Sequence, residues 1–250
     1  MLSFVIPAHN EELLLGRTLA AIHAAARRVG TPYEIVVADD ASTDRTAAVA
    51  AEHGARVVAV RNRQIAATRN AGARAASGDI LIFVDADTIV NPAVVSSTLS
   101  ALAAGAVAGG AAMRLDGKVP LYGRVLTSIV LTGMRAGRLA AGCYLFCSRA
   151  AFEAAGGFDE RLFAAEEIAL SRALQRHGRM VILRDAVETS GRKLRTYSGW
   201  EILRLLSVLA LAGRRALGSR QHLDLWYGAR RVDGGSHRAA DETSTSRVSV

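Results

Sequence analysis

Apolar positions fall in short unbroken runs, separated by longer segments in which they recur every three or four residues. The runs at residues 2–7, 34–38, 56–60 and 80–84 read as strands, and their unbroken apolar character fits strands buried on both faces. The amphipathic segments that follow, at about 11–29, 44–53, 65–76 and 92–103, read as helices. Repeated strand–helix units of this kind predict an α/β fold, a Rossmann-like, mostly parallel sheet flanked by helices. Beyond residue 110 the rhythm loosens into a helical segment at 121–138, a strand at 143–147, a Gly-Gly turn at 156 and 157, and a helix from about 166 to 177.

The end of the chain has another texture. Residues 200–217 read as a basic amphipathic helix, with Ile202, Leu205, Leu206 and Leu209 on one face and Arg204, Arg214 and Arg215 around it. The aromatic pair Trp226-Tyr227 follows, and residues 233–250, rich in Gly, Ser, Thr and charge, read as a disordered tail. The expected organisation is a domain over 1–190 with halves meeting near residue 110, a basic C-terminal helical extension over 191–232, and the tail.

Composition narrows the classes. Half of the 250 residues are apolar, which excludes a disordered or fibrous chain. The net charge of +8 is concentrated at the end, where residues 190–250 hold 11 Arg or Lys against 5 Asp or Glu. A cationic end favours polyanions, whether anionic lipid, phosphorylated substrate or nucleic acid. Aromatics at 5% leave little to stack bases on, so no nucleic-acid partner is expected. No run reaches the ~18 apolar residues of a membrane span, and the first residues lack the basic region of a signal peptide. The expected location is cytoplasmic, with peripheral contact on the inner membrane face. Cys143 and Cys147 lie four residues apart on a predicted strand, too far to bridge at about 3.3 Å per residue, which predicts two free thiols.

In a parallel sheet, ligands bind beyond the carboxyl ends of the strands. There the chain offers Pro7-Ala8-His9-Asn10-Glu11-Glu12, Asp39-Asp40-Ala41-Ser42-Thr43-Asp44, and Asp85-Ala86-Asp87. No Gly-x-Gly-x-x-Gly or Gly-Lys-Ser follows any of these strands, so neither a dinucleotide turn nor a P-loop is present. Carboxylates gather instead. Asp85 and Asp87, two apart at a strand end, project to one side and can hold a divalent cation; the alternative is a turn before the helix at Pro92. Asp44 reads as a helix N-cap.

These pieces, with Arg69-Asn70-x-Gly72 and Gly156-Gly157-Phe158-Asp159-Glu160 in order, resemble the GT-A fold glycosyltransferases of family two over about residues 2–185. The resemblance implies a nucleotide-binding half near 1–110 and an acceptor half near 111–190. Its implied donor is a nucleoside-diphosphate sugar. Pro7, Ala8 and Glu11 would wrap the nucleoside, and Asp39 would read the base edge, where a carboxylate suits a ring N–H such as uracil's and so a UDP-linked donor. Arg69 would face the phosphates or be an ordinary surface arginine. Asp85 would lie near the ribose and the metal's hydration shell, and Asp87 would ligate Mg²⁺ or Mn²⁺ across the phosphates. Members usually carry Glu-Asp at the start of the helix after the Gly-Gly-Phe-Asp loop, the Asp acting as base. Here the pair is Glu166-Glu167, which puts Glu167 at the base position with Glu166 as the alternative. The helix dipole is expected to keep Glu167 ionised.

By the same resemblance Gly156 and Gly157 would let the backbone approach sugar or acceptor, with Phe158 stacked on a ring or packed in the core. Arg192, Lys193 and Arg195 would close over the pyrophosphate or remain a solvated run. The reaction expected is an inverting, metal-dependent transfer to a hydroxyl acceptor, lipid-linked if the basic extension lies on an anionic bilayer. The competing expectation is a nucleotide-sugar-binding scaffold without turnover, motivated by Glu in place of Asp.

Overall fold

The computed structural model describes residues 1–117 and 120–196; the helix expected at 200–217, the Trp226-Tyr227 pair and the tail lie outside them. The first half follows the predicted alternation: β1 (Leu2–Ala8), α1 (Glu12–Val29), β2 (Tyr33–Asp40), α2 (Thr46–Glu52), β3 (Arg56–Val60), α3 (Ile65–Ala75), β4 (Ile80–Val84), β5 (Thr88–Ile89) and α4 (Pro92–Ala103). The second half contains β6 (Ala106–Leu115), α5 (Leu121–Ala136), β7 (Tyr144–Ser148), α6 (Arg149–Ala154), α7 (Glu166–Leu174), β8 (Arg179–Thr189) and α8 (Arg192–Thr196). Of these, β5, β6, α6 and α8 were not predicted.

One sheet runs β3-β2-β1-β4-β7-β6-β8-β5. The first four strands are parallel, β7 is antiparallel to both β4 and β6, β6 and β8 are parallel, and β5 closes the edge antiparallel to β8. The chain leaves β1 in one direction for β2 and β3 and returns on the other side for β4, so the β1–β4 boundary is the switch point where a crevice opens. Pairing of β1 with β4 stops at Val5–Phe83, while pairing with β2 continues to Ala8–Asp39. Pro7, which has no N–H to donate, stands in that one-sided stretch.

Two apolar layers sandwich the sheet. On one side Leu15, Leu19 and Ile22 of α1 and Val94 and Val95 of α4 bury against Phe4, Ile6, Val37 and Ile82. On the other, Ala66 and Ala73 of α3 and Leu170 and Leu174 of α7 pack with Val5, Phe83 and Leu145. Gly30 ends α1 with φ 74°, and Asn91 caps α4 by accepting from Val94 N–H ahead of Pro92. Asp44 does its capping from one residue further out than expected. Arg45 occupies the N-cap of α2, and Asp44 accepts from Thr46 N–H at 2.9 Å and from Glu12 N–H at 3.2 Å. Both cysteines are free and buried. No helix among the described residues is long and apolar enough to cross a membrane.

Candidate functional site

The loops after β1 and β2 are laced together. Asn10 N–H donates to Ser42 Oγ at 2.9 Å, Glu11 N–H to Thr46 Oγ1 at 2.7 Å, and Thr43 N–H returns to Asn10 Oδ1 at 2.8 Å. The N–H groups of Glu11 and Glu12, at the N-cap and first position of α1, are thus spent on the neighbouring loop. Asn10, Ala41 and Arg63 all adopt positive φ at or just beyond the ends of β1, β2 and β3.

Adjacent carboxylates at the end of β2 divide the work. Asp40 is structural, accepting from Arg63 N–H at 2.8 Å, Gln64 N–H at 3.2 Å and the Thr68 hydroxyl at 2.8 Å, which ties the start of α3 to the sheet. Asp39 is 7% exposed, and its Oδ1 is buried with no hydrogen-bond donor among the described residues. A buried acceptor left unmade costs about 1–3 kcal/mol, so an arriving N–H would be well received there.

Arg69 is neither a surface arginine nor open to phosphates. Its side chain is 2% exposed, and the guanidinium donates to Glu166 Oε1 at 2.7 Å, Asp85 Oδ1 at 2.8 Å and the Gly142 carbonyl at 3.1 Å, with its carbon 5.3 Å from the centre of the Phe158 ring. This cation binds the β4 end, the segment before β7 and the first turn of α7 into one knot. Its neighbour Asn70 clamps the Gly-Gly-Phe-Asp loop: Asn70 Nδ2 donates to the Phe158 carbonyl, and Phe158 N–H donates to Asn70 Oδ1, both at 2.9 Å. Gly72 completes the Arg-Asn-x-Gly set by close approach, since a Cβ there would sit 2.5 Å from Val5 Cγ1. Gln64, not singled out from sequence, caps α3 and donates to the Leu162 carbonyl at 2.9 Å.

Phe158 is 2% exposed and packs edge-on against Phe83 at 4.9 Å, so the core alternative holds and no sugar stacks on it. Gly156 and Gly157, at φ 80° and 72°, serve the turn that delivers Phe158 to Asn70.

Asp85 and Asp87 flank buried Ala86 at the β4 end and are both half-buried. Asp85 answers Arg69, while the Thr189 hydroxyl of β8 lies 3.4 Å from Asp87 Oδ1. A small open cleft beside Asp87 is lined by Arg17, Asp116, Glu188 and Thr189. No cluster of three or more His, Cys, Asp or Glu suited to a metal occurs among the described residues. Asp87 lines that cleft while Asp85, two residues earlier, is held by Arg69; an ion at this strand end would complete its shell with phosphate oxygens and water, as Mg²⁺ at nucleotide sites does.

Glu166 and Glu167 open α7, with Ala165 before them held at φ 59°. Glu166 is buried against Arg69; Glu167 is half-buried. Burial first, then the Glu166 carboxylate, with Asp85 adding to them, push the Glu167 pKa up to about 8, against a weaker downward pull from Arg69. The helix dipole expected to keep Glu167 ionised is thus opposed by desolvation and like charge, which raise its pKa. Of the C-terminal cations, Arg192 lies 3.9 Å from Glu11, and Arg195 pairs with Asp116 at 3.0 Å. Both face carboxylates, and Asp116 itself lines the cleft beside Asp87.

The strand order, with carboxylates gathered beyond the strand ends at the switch point, matches a GT-A type fold. Residues 3–152 match the family described as Glycosyl transferase family 2, and the chain belongs to that family. It is 40% identical over 109 residues to a validoxylamine A glucosyltransferase of Streptomyces hygroscopicus subsp. limoneus, covering 40% of this chain and 23% of that protein. It is 42% identical over 99 residues to an undecaprenyl-phosphate 4-deoxy-4-formamido-L-arabinose transferase of Pseudomonas paraeruginosa, covering 37% of this chain and 29% of that one. The chain thus spans between a fifth and a third of these relatives' lengths. Among solved structures, the mannosyltransferase PcManGT of Pyrobaculum calidifontis, in complex with GDP-Man and Mn²⁺, superposes with a TM-score of 0.62 at 18% identity, over 100% of this chain and 76% of that one.

Proposed function

We propose that this chain transfers a sugar from a UDP-linked donor to an acceptor hydroxyl, in a metal-dependent, inverting reaction of bacterial-type glycan or glycolipid synthesis. The observation that carries the reading is the buried, donorless Asp39 Oδ1 at the carboxyl end of β2, an acceptor matched to the ring N–H of uracil. Pro7, Ala8 and Glu11 form the other wall of the nucleoside site. Asp87, with Asp85, would hold Mn²⁺ or Mg²⁺; the ion supplies the charge neutralisation that makes a nucleoside diphosphate a competent leaving group. Arg69 holds Asp85 and Glu166 in place, acting as a positioning residue rather than a phosphate ligand. In the transfer, the bond from the sugar's anomeric carbon to the leaving phosphate breaks, the acceptor oxygen bonds to that carbon, and the acceptor's proton passes to the Glu167 carboxylate. One base and one displacement correspond to inversion. Support for the metal comes from the Mn²⁺ in the mannosyltransferase complex, and support for a lipid-linked acceptor from the undecaprenyl-phosphate relative.

Calorimetric titration with UDP, GDP and dTDP, with and without Mn²⁺, tests the reading. UDP is expected to bind in a Mn²⁺-dependent manner, and Asp87→Ala to abolish that dependence while the fold is kept. UDP affinity insensitive to both metal and Asp87→Ala would sink the metal assignment. In a second series, Asp39→Ala is expected to weaken UDP binding by about 10–100-fold, the loss of a hydrogen bond to a charged acceptor. Unchanged affinity would remove Asp39 from the base edge. Binding without any donor cleavage would favour the scaffold.

A further inference from the structure

Helix α5 wears its apolar side outward. Gly123 is buried, and Thr127, Leu131 and Met134 are half-buried, so the face at this spacing meets the domain. Leu121, Val125 and Ile129, at i, i+4 and i+8, are 73%, 52% and 66% exposed, with Val130 also exposed beside them. A ridge of this kind on a water-facing helix marks a contact surface. Arg124, Arg135 and Arg138 are exposed along the helix and just past its end, and residues 117–152 contain five Arg or Lys and no Asp or Glu.

The segment before the helix reaches the cleft, and the segment after it reaches α7 and the Arg69 knot. Before it, Asp116 lines the cleft with Asp87, donates its N–H to the Thr189 carbonyl at 2.9 Å and accepts from Gly191 N–H at 2.7 Å. After it, Ala140 N–H donates to Ser171 Oγ of α7 at 3.0 Å, and the Gly142 carbonyl accepts from Arg69. The helix is thus tied through its flanking segments to the elements that carry the candidate site.

We propose that α5 is a membrane-contact helix that lies flat on an anionic bilayer and turns the cleft toward acceptors held in that bilayer. An apolar ridge flanked by arginines is the pattern of an interfacial helix. Its length of about 24 Å suits lying in the interface rather than crossing ~30 Å of hydrocarbon. Charge selects the occupant. A second copy related by a twofold axis would bring Arg124 and Arg135 against cations of the same patch, and the chain's own residues 190–250, with 11 Arg or Lys against 5 Asp or Glu, repel it likewise. Phosphatidylglycerol-type headgroups complement it. The purpose rests on the glycosyltransfer reading; the membrane contact itself does not.

Flotation of the full chain with phosphatidylcholine vesicles, with and without phosphatidylglycerol, tests this beside a Val125→Glu/Ile129→Glu variant. Both side chains are exposed, so circular dichroism and UDP titration should match wild type. Wild type is expected to float with the anionic vesicles only, and the variant to partition at least about tenfold less. Absent flotation, equal flotation with neutral vesicles, or unchanged partition of the variant would each overturn the proposal. So would a wild-type dimer that the variant converts to monomer, since the occupant would then be a second copy. Failure of UDP to bind while flotation persists would count against the glycosyltransfer reading alone.

Discussion

Glu167→Gln is expected to lower turnover by about 10²–10⁴-fold, the usual worth of a general base, with UDP affinity within about twofold of wild type. Glutamine keeps the volume and the hydrogen-bonding oxygen but cannot take the acceptor's proton. The wild-type pH profile carries the same information. A base must be ionised to act, and Glu167 is pushed up to about 8, so kcat/KM should rise with pH and level off above about 8. In Glu167→Gln that limb should vanish. Full activity in the glutamine variant would remove Glu167 as the base and leave Glu166, or an acceptor that needs no base.

Arg69→Met should have the largest effect on folding. Met matches the volume but leaves Glu166 buried and Asp85 one-third exposed without their shared cation. Removing one partner from such a cluster costs about 3–5 kcal/mol, readable as a lower midpoint in urea at unchanged slope. Arg69→Lys should recover only part of this, because an ammonium cannot span two carboxylates and a carbonyl as the planar guanidinium does. A loss under about 1 kcal/mol would mean that the knot is ornamental. Since Arg69 also pulls the Glu167 pKa down, any folded Arg69→Met enzyme should show its pH limb shifted upward.

The first half of the chain was legible because strands buried on both faces leave apolar runs and the helices between them keep a clean period. β6 was hidden by its own packing. In Ala106–Leu115, Gly109 is required because a Cβ would fall 2.4 Å from the Phe146 ring and the Val181 carbonyl oxygen, and Gly110 because Ala140 approaches as closely as 2.7 Å. Those constraints belong to residues remote in the chain, and locally the segment looks like a linker. Asp39, Asp85, Asp87 and Glu167 could be singled out by position, yet the division between Asp39 and Asp40 depended on partners in the next loop. Arg69 could not be placed, since its partner Glu166 lies 97 residues away and nothing in an Ala-rich helix announces burial. The Glu167 shift likewise needs the assembled cleft.

β5, the two-residue strand directly after Asp87, pairs with β8 alone, and Thr88 shares a hydroxyl hydrogen bond with Thr189 at 3.0 Å. Asp87 and Thr189 are 102 residues apart, so a ribosome delivers the second strand of this edge roughly 5–20 s after the first. Until then the nascent first half can assemble its four parallel strands but cannot fix Asp87. On the proposed reading, a chain cut short before β8 would therefore be a compact product in which Asp87 is not fixed and no donor is consumed.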